Sequence, residues 1–304
     1  MISIITPTYN RAYILPMLHG SLCRQTSKDF EWIIIDDGST DDTEDLVEQW
    51  HDMEFPLTYI LQANGGKHRA LNTGMKAVRG DYCMIVDSDD YLTDDAIEAI
   101  HGWIKHIARD GNFAGVSVLK GYIGGGRIGG YPRAKRYAEY VDATNIQRRK
   151  HKLLGDKAEV YRTDILKRYP FTEHEGENYV SLSDVWDAIA ADGYKIRWFN
   201  KIIYKAEYLD DGLTRDNQKA LRNFNGYEHS VKQTVTLHGF PDKQYAAYYY
   251  WRTALKKRIG FREVANRLNI SLFFLTSSCM LGIASGLCRL PKRFLKYCIN
   301  HIFR

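Results

Sequence analysis

The sequence predicts an α/β protein built on a mainly parallel sheet with helices on both faces. Three observations lead there. Short β-branched runs alternate with stretches of helical period. Each of the first four runs stops at polar punctuation. The 304 residues, 26% charged and 44% hydrophobic, are too apolar for disorder and show no collagen-like or low-complexity bias. This length suits about one or two domains, each with its own core.

Ile2–Thr6 reads as a buried strand closed by Pro7, and Ala12 to Cys23 as a helix with Ile14, Leu15, Leu18 and Leu22 on its apolar face. Phe30–Ile35 is a second buried strand, ending at Asp36-Asp37-Gly38-Ser39. Thr40 to Trp50 reads as helix, with Thr40 or Asp41 as its cap and acids in the first turn. Leu57–Gln62 is a third strand, Lys67–Val78 a helix, and Asp81–Val86 a fourth strand running straight into Asp87-Ser88-Asp89-Asp90. The middle, residues 112–215, is mixed: six glycines between Gly121 and Gly130 mark a loop, Asp184–Ala191 looks helical and Lys195–Tyr204 extended. From about residue 218 the pattern is helical and rich in Tyr, Lys and Arg. No internal repeat is visible.

The net charge of +5 is unevenly spread. From Trp251 to Arg304 there are eleven Lys/Arg and one acid, Glu263, so the rest of the chain is acidic, with 31 basic against 36 acidic residues. A nucleic-acid protein would more often spread its cations over a folded face, so no nucleic-acid partner is expected and a membrane surface is the better match for the tail. Leu268 to Cys288 holds no charged residue and reaches the ~18–20 residues of a membrane span, though Asn269, Ser271, Thr276, Ser277, Ser278 and Ser285 dilute it. After Pro291, a cationic amphipathic pattern follows. An ordinary helical subdomain accounts for the same stretch. No signal-like segment precedes the first strand, so the expected location is cytoplasmic, at the inner face of the membrane. The five cysteines form no CxxC, which argues against a disulfide framework or zinc site.

In an open α/β sheet, ligands bind beyond the carboxyl ends of the strands, where all four punctuated segments converge. Asp87-x-Asp89 places two carboxylates at a strand end, suited to one hard divalent cation bridging a diphosphate; a solvated acidic turn capping the next helix is the plainer reading. Asp37 suits an acceptor for a base N–H, and half of its motif suits a turn. Tyr9 suits stacking on a nucleobase, or a core position. Lys67 and His68, at a helix start, can meet phosphate through side chains and backbone N–H groups, or simply be a solvated first turn. The first βα turn lacks GxGxxG, which counts against a dinucleotide-binding domain and a nicotinamide oxidoreductase.

With these residues assembled, the N-terminal third resembles family 2 glycosyltransferases of the GT-A fold. The matching segments are Ile4-Ile-Thr-Pro-Thr-Tyr-Asn-Arg11, Phe30 to Asp41, Asn64-Gly-Gly-Lys-His-Arg-Ala-Leu-Asn-Thr-Gly74 and Val86-Asp-Ser-Asp-Asp90, in the family's order. Residues 155–215 are similar to one bacterial branch. The resemblance implies a Rossmann-like catalytic domain over 1–217, with a nucleotide-binding half (1–110) and an acceptor-binding half (111–217), followed by a basic helical extension (218–304). It also implies inverting transfer of a hexosyl or N-acetylhexosaminyl group from a nucleotide diphosphate, usually UDP, to a hydroxyl of a glycan or lipid-linked acceptor. Pro7, Tyr9 and Asp37 would hold the base, with Asn64, Lys67, His68, Asp87 and Ser88 also on the donor. Asp87 would lie near the ribose, and Asp89, with Asp87, would contact Mn²⁺ or Mg²⁺. The family's arginine before the Gly of the third motif is replaced here by Leu71, so Lys67, His68 or Arg69 would stand in.

Inversion by single displacement needs a carboxylate base on the acceptor side. The resemblance points to an acid ahead of an apolar/Trp helix, and the candidates are Glu173, Glu175, Glu177 and Asp184, with Asp184 favoured and Glu177 second. Many relatives place the acid four residues before the Trp, where this chain has Leu182. A nucleotide-sugar-binding or scaffolding protein that kept the pocket and lost turnover is the competing reading.

Overall fold

Strand pairing begins where the sequence is most β-branched. In chain order the first unit contains β1 (Ile2–Thr8), α1 (Leu15–Cys23), β2 (Phe30–Asp36), α2 (Thr43–Glu48), β3 (Leu57–Leu61), α3 (Lys67–Ala77) and β4 (Tyr82–Ile85). It continues with β5 (Tyr91–Leu92), α4 (Ala96–Lys105), β6 (Phe113–Tyr122), β7 (Tyr140–Ala143), β8 (Lys157–Arg162), α5 (Thr163–Leu166), α6 (Ser183–Ala191, counted in this unit from Val185) and β9 (Lys195–Ala206). The computed structural model describes residues 1–129, 139–206, 216 and 218–285. Its strands form one sheet in the order β3-β2-β1-β4-β8-β6-β9-β5, with β7 also on β9.

The β1–β4 half is parallel, and β1 and β2 are buried along their whole length, as expected of strands covered on both faces. β8 then runs antiparallel to β4, and β6 antiparallel to β8. The predicted parallel α/β sheet is therefore present with an antiparallel continuation. The mixed middle conceals it, because β6 and β8 contain Gly115, Ser117, Lys157 and Glu159, which break the apolar signal.

Pro7 does not close β1; the strand runs on to Thr8. The Ile5 carbonyl accepts from Val86 N at 3.0 Å and the Thr8 carbonyl from Asp37 N at 2.9 Å. By alternation Pro7 faces the β4 side, where pairing stops at Ile5↔Ile85. Its missing N–H therefore has no strand partner to disappoint.

One face of the sheet packs on α1 and α4 through Ile4, Leu15, Leu18, Trp32, Ile34, Met84, Val86, Ile97, Ile100, Val116 and Val160. The other face carries α3 in close contact: a Cβ on Gly74 would lie 2.6 Å from Ile35 Cδ1 and 2.8 Å from Ile5 Cγ2. Only glycine allows this approach.

The second unit joins His174–Asp184 to the chain from Asp216 onward. Its helices are α7 (Lys219–Arg222), α8 (Phe224–Leu237), α9 (Asp242–Lys256), α10 (Phe261–Arg267) and α11 (Leu272–Ala284). Tyr248, Tyr250, Trp251, Val264, Leu275 and Cys279 form its core. The uncharged stretch is not one helix. α10 ends at Arg267, Asn269 takes φ 53°, and Ser271 Oγ caps α11 by accepting from Phe274 N. The two helices meet at 108°, and no single described helix is long and apolar enough to cross a membrane. Cys288, Cys298 and the cationic pattern after Pro291 lie outside the described residues, as do residues 207–215 of the bacterial-branch motif. Cys23, Cys83 and Cys279 are free thiols.

Glu31 is a buried acid that fastens strand starts to the α3–β4 turn. It accepts from Ser3 Oγ (2.5 Å), Arg79 N (2.8 Å) and Arg79 Nε (2.7 Å). Burial pushes its carboxyl up, but these donors outweigh burial and hold it below the ordinary value of 4.5. A depressed folded pKa stabilises above the unfolded value and loses that contribution as pH falls through the folded one. Glu31→Gln should therefore cost about 2 kcal/mol in urea unfolding at pH 7. The gap to the parent chain should shrink below pH 4.5; a gap independent of pH would refute this role.

Candidate active site

The four parallel strands end at one edge of the sheet, and their loops are tied together by side chains. Asn10, at φ 52°, donates its backbone N–H to Ser39 Oγ (2.8 Å) and accepts from Thr40 N at Oδ1 (2.7 Å). Asp36 accepts from Ser39 N and from Tyr59 OH, both at 2.7 Å. Between them Gly38 takes φ 80°, and a Cβ there would lie 2.9 Å from Asn64 N. This Asp-Asp-Gly-Ser turn needs glycine on both counts.

Asp37 is buried and fully engaged. Its Oδ1 accepts from Gln62 Nε2 (2.7 Å) and Gly65 N (3.0 Å), and its Oδ2 from Gly66 N (2.7 Å). Asn64 Nδ2 donates to the Asp37 carbonyl at 2.8 Å. The carboxylate thus fixes the loop that launches α3, and with it the position of Lys67. Arg69 holds the same loop through Gly65 O (2.6 Å) and reaches Glu173 Oε2 (3.2 Å).

Lys67 Nζ lies 2.5 Å from Asp87 Oδ1. Burial lowers the Lys67 pKa, yet Asp87 outweighs it and the ammonium is held above its ordinary value. Burial likewise raises the Asp87 pKa, and Lys67 and Lys120 more than reverse that. Asp89 and Asp90 differ: burial first, then the Asp87 charge, raises both, Asp90 to about 7. Asp90 Oδ2 accepts from Tyr204 OH at 2.6 Å and lies 3.8 Å from Lys120 Nζ, which sits over the Tyr204 ring at 4.1 Å. Tyr204 OH also accepts from Asp87 N at 3.1 Å.

The structure therefore brings Asp37, Asn64, Lys67, Asp87, Ser88 and Asp89 to the strand-end edge. Tyr9 stands there 48% exposed. Pro7 is buried inside β1, Ser88 is buried, and His68 is buried in α3. Lys120 and Tyr204 complete the cluster from β6 and β9. No sequence signal announces them, since each is a single residue in a distant strand.

Asp184 and Glu177 belong to the second unit. Glu177 accepts from Asn225 N and Gly226 N, both at 2.8 Å, capping the first turn of α8. Asp184 Oδ2 accepts from Ser230 Oγ (2.6 Å), and its carbonyl from Gln233 Nε2 (2.8 Å). Both carboxylates anchor α8.

The model for glycosyl transferase family 2 matches residues 3–168, more than half of the chain. The chain belongs to this family. Among curated relatives, the glycosyltransferase GlyA of Streptococcus pneumoniae is 34% identical over 109 residues, which is 36% of this family 2 chain and 16% of GlyA. The first relatives in similarity are matched over 14–48% of their own lengths. Among solved structures, Staphylococcus aureus TarS 1–349 in complex with UDP-GlcNAc superposes with a TM-score of 0.62 at 20% identity, covering 84% of this chain and 72% of that one. The mannosyltransferase PcManGT from Pyrobaculum calidifontis, in complex with GDP-Man and Mn²⁺, gives 0.52 at 19% identity, over 97% and 78%. These likenesses establish the GT-A fold.

If Asp37 holds the loop, Asp37→Ala leaves the Gly65 and Gly66 amides without their acceptor. Their hydrogen exchange should accelerate by about tenfold or more, with a stability loss of ~1–3 kcal/mol. Unchanged exchange at both glycines would contradict the clamp.

Proposed function

We propose that this family 2 chain transfers a sugar from a UDP-sugar donor to a hydroxyl of a glycan or lipid-linked acceptor, with inversion, in cell-surface polysaccharide synthesis. The observation carrying this reading is the cluster beyond β4, where Lys67 and the Asp87–Asp89 pair share one edge with the Asp37 loop and the exposed Tyr9. TarS in complex with UDP-GlcNAc and UDP, and PcManGT in complex with GDP-Man, support a nucleotide-sugar donor for the same fold.

In this reading the base stacks on Tyr9 against the loop that Asp37 fixes, and the diphosphate meets Lys67 at the start of α3. A divalent cation fits the donor set. Among the described residues no three His, Cys, Asp or Glu side chains converge on one point, so the chain alone does not cage a metal. Asp87 and Asp89 form a hard-oxygen pair in which burial and then the Asp87 charge raise the Asp89 pKa, and phosphate oxygens would complete the coordination of Mn²⁺ or Mg²⁺. Bound there, the ion supplies Lewis-acid stabilisation of the departing diphosphate. Lys67 adds a fixed positive charge at the same oxygens. The acceptor hydroxyl loses its proton to a carboxylate as it attacks the anomeric carbon; by sequence Asp184 and Glu177 are the first candidates.

The membrane part of the reading rests on the C-terminal unit. α11 exposes Leu272, Phe273 (83%) and Met280 (56%), and the sequence beyond it carries Arg289, Lys292, Arg293, Lys296 and Arg304 without an acid. Each such cation adds about 1 kcal/mol at an anionic leaflet. At 13 residues α11 is about 20 Å long, so contact with the inner face of the membrane would be interfacial. A binding protein without turnover is favoured by one observation: Leu182 stands where relatives carry an acid, and the neighbouring carboxylates anchor α8.

Calorimetry with UDP decides the metal question. Binding should require Mn²⁺ or Mg²⁺, weaken about tenfold or more in EDTA, and lose its metal dependence in Asp89→Ala. Equal affinity with and without the ion, or an unaffected Asp89→Ala variant, would remove the cation from the site.

A further inference from the structure

The face of the sheet that carries α3 and Lys67 continues past β4 onto β8. Ile5, which touches α3, pairs with Ile85, and one step beyond the Met84↔Val160 pair Ile85 stands opposite Glu159. Residues opposite one another across an antiparallel pair point to the same face. Glu159 is thus on the Lys67–Asp87 side, about 8 Å from Asp87 along the backbone by strand spacing and rise. It keeps partial exposure.

Two buried hydroxyls flank it. Ser117 lies directly opposite on β6, and Tyr161 follows two residues later on the same face of β8. Neither Ser117 Oγ nor Tyr161 OH has a hydrogen-bond partner among the described residues. Buried orphan hydroxyls are uncommon and ask for an explanation. Trp186 of α6 stacks on the Tyr161 ring at 4.5 Å, with Phe171 edge-on to Trp186, so the cluster has an aromatic roof. The charges acting on Glu159 are Arg148, whose guanidinium lies over Trp198 of β9, then Lys120 from β6 and Lys157 from its own strand. Lys120 Nζ also lies 3.8 Å from Asp90 Oδ2.

We infer that Ser117, Glu159 and Tyr161 form a polyol-binding subsite for the sugar acceptor, and that Glu159 is its general base. This rests on the glycosyl-transfer reading above and moves the base from Asp184 and Glu177 to a strand already beside the donor site. In the step, the acceptor O–H proton passes to a Glu159 carboxylate oxygen. The acceptor oxygen forms the new bond to the anomeric carbon, and the bond from that carbon to the diphosphate oxygen breaks, its electron pair leaving with UDP. Burial pushes the Glu159 carboxyl up while the three cations pull it back, leaving it a stronger base than a solvated carboxylate. The orphan hydroxyls would pair with acceptor hydroxyls, as buried polar groups demand.

The test is UDP release by the full chain with Mn²⁺, using UDP-GlcNAc, UDP-glucose and UDP-galactose as donors and octyl glycosides as acceptors. Glu159→Gln should lower kcat by about 100-fold or more with donor KM little changed, and abolish the rise of kcat with pH. Glu159→Asp, keeping a carboxylate, should recover about tenfold over the Gln variant. Tyr161→Phe and Ser117→Ala should raise acceptor KM about fivefold without lowering Tm, because neither hydroxyl has a protein partner to lose. The inference falls if Glu159→Gln turns over at a rate and pH dependence like the parent chain, or if the hydroxyl variants lower Tm and leave acceptor KM alone. A parent chain inert towards every donor would overturn the transfer reading and this inference together.

Discussion

Three carboxylates within four residues, Asp87, Asp89 and Asp90, are held at the point where β4 stops, and the rest of the site follows from how that crowding is managed. Water would screen such charges; a partly buried strand end does not. Lys67 neutralises Asp87 from α3, and Lys120 with the Tyr204 hydroxyl serves Asp90 from β6 and β9. Asp89 feels the charges of Arg11 and Lys67, yet burial and then the Asp87 charge outweigh them and raise its pKa. The arrangement is asymmetric: Asp87 is paired with Lys67, Asp90 is served by Tyr204 and Lys120, and Asp89 keeps a raised pKa.

Holding Lys67 in place takes a chain of contacts leading back to β2. Asp37 ends that strand, and its carboxylate gathers Gln62, Gly65 and Gly66, so the first turn of α3 starts from a fixed point. Close packing of α3 through Gly74 then sets the height of the helix above the sheet. A conspicuous acid at a strand end thus acts on the start of α3 through backbone geometry. Its two oxygens already receive three donors, so any direct contact with a base would be an addition to that work.

The parallel half was legible because two periodicities coincide there: β-branched runs bury both faces, and each is followed by a turn motif at the same edge. Ile33 and Ile34 can belong to nothing but a covered strand. β6 and β8 were illegible for the opposite reason. Gly115, Ser117, Lys157 and Glu159 place glycine, hydroxyl and charge where strand patterns expect apolar residues. Glu177 and Asp184 were open to two readings in the sequence, because an acid ahead of a helix looks the same whether it takes a proton or holds another helix. The structure adds the contacts of both carboxylates with α8, which no sequence pattern announces. The break at Asn269 was likewise hidden inside an uncharged run, since hydropathy does not register a left-handed residue followed by a serine cap.

The change of strand direction next to β4 explains why polar residues accumulate there. In the parallel half, every strand approaches the edge with its carboxyl end, so the loops carry most of the charge and the strands stay largely apolar, with Ser3 and Glu31 paired at their starts. β8 enters from that same edge with its amino end, so its first residues, Lys157 and Glu159, lie in the sheet at the depth where β4 is finishing. A strand that must begin beside a charged cluster cannot be wholly apolar on the face turned to that cluster, whereas its other face, Ala158 and Val160, packs in the core. The alternation of Lys157, Glu159 and Tyr161 against Ala158 and Val160 is therefore the β-period imposed on a border between core and site. The orphan hydroxyls of Ser117 and Tyr161 lie on the same face as Glu159, where the proposed acceptor would supply the partners that the fold does not.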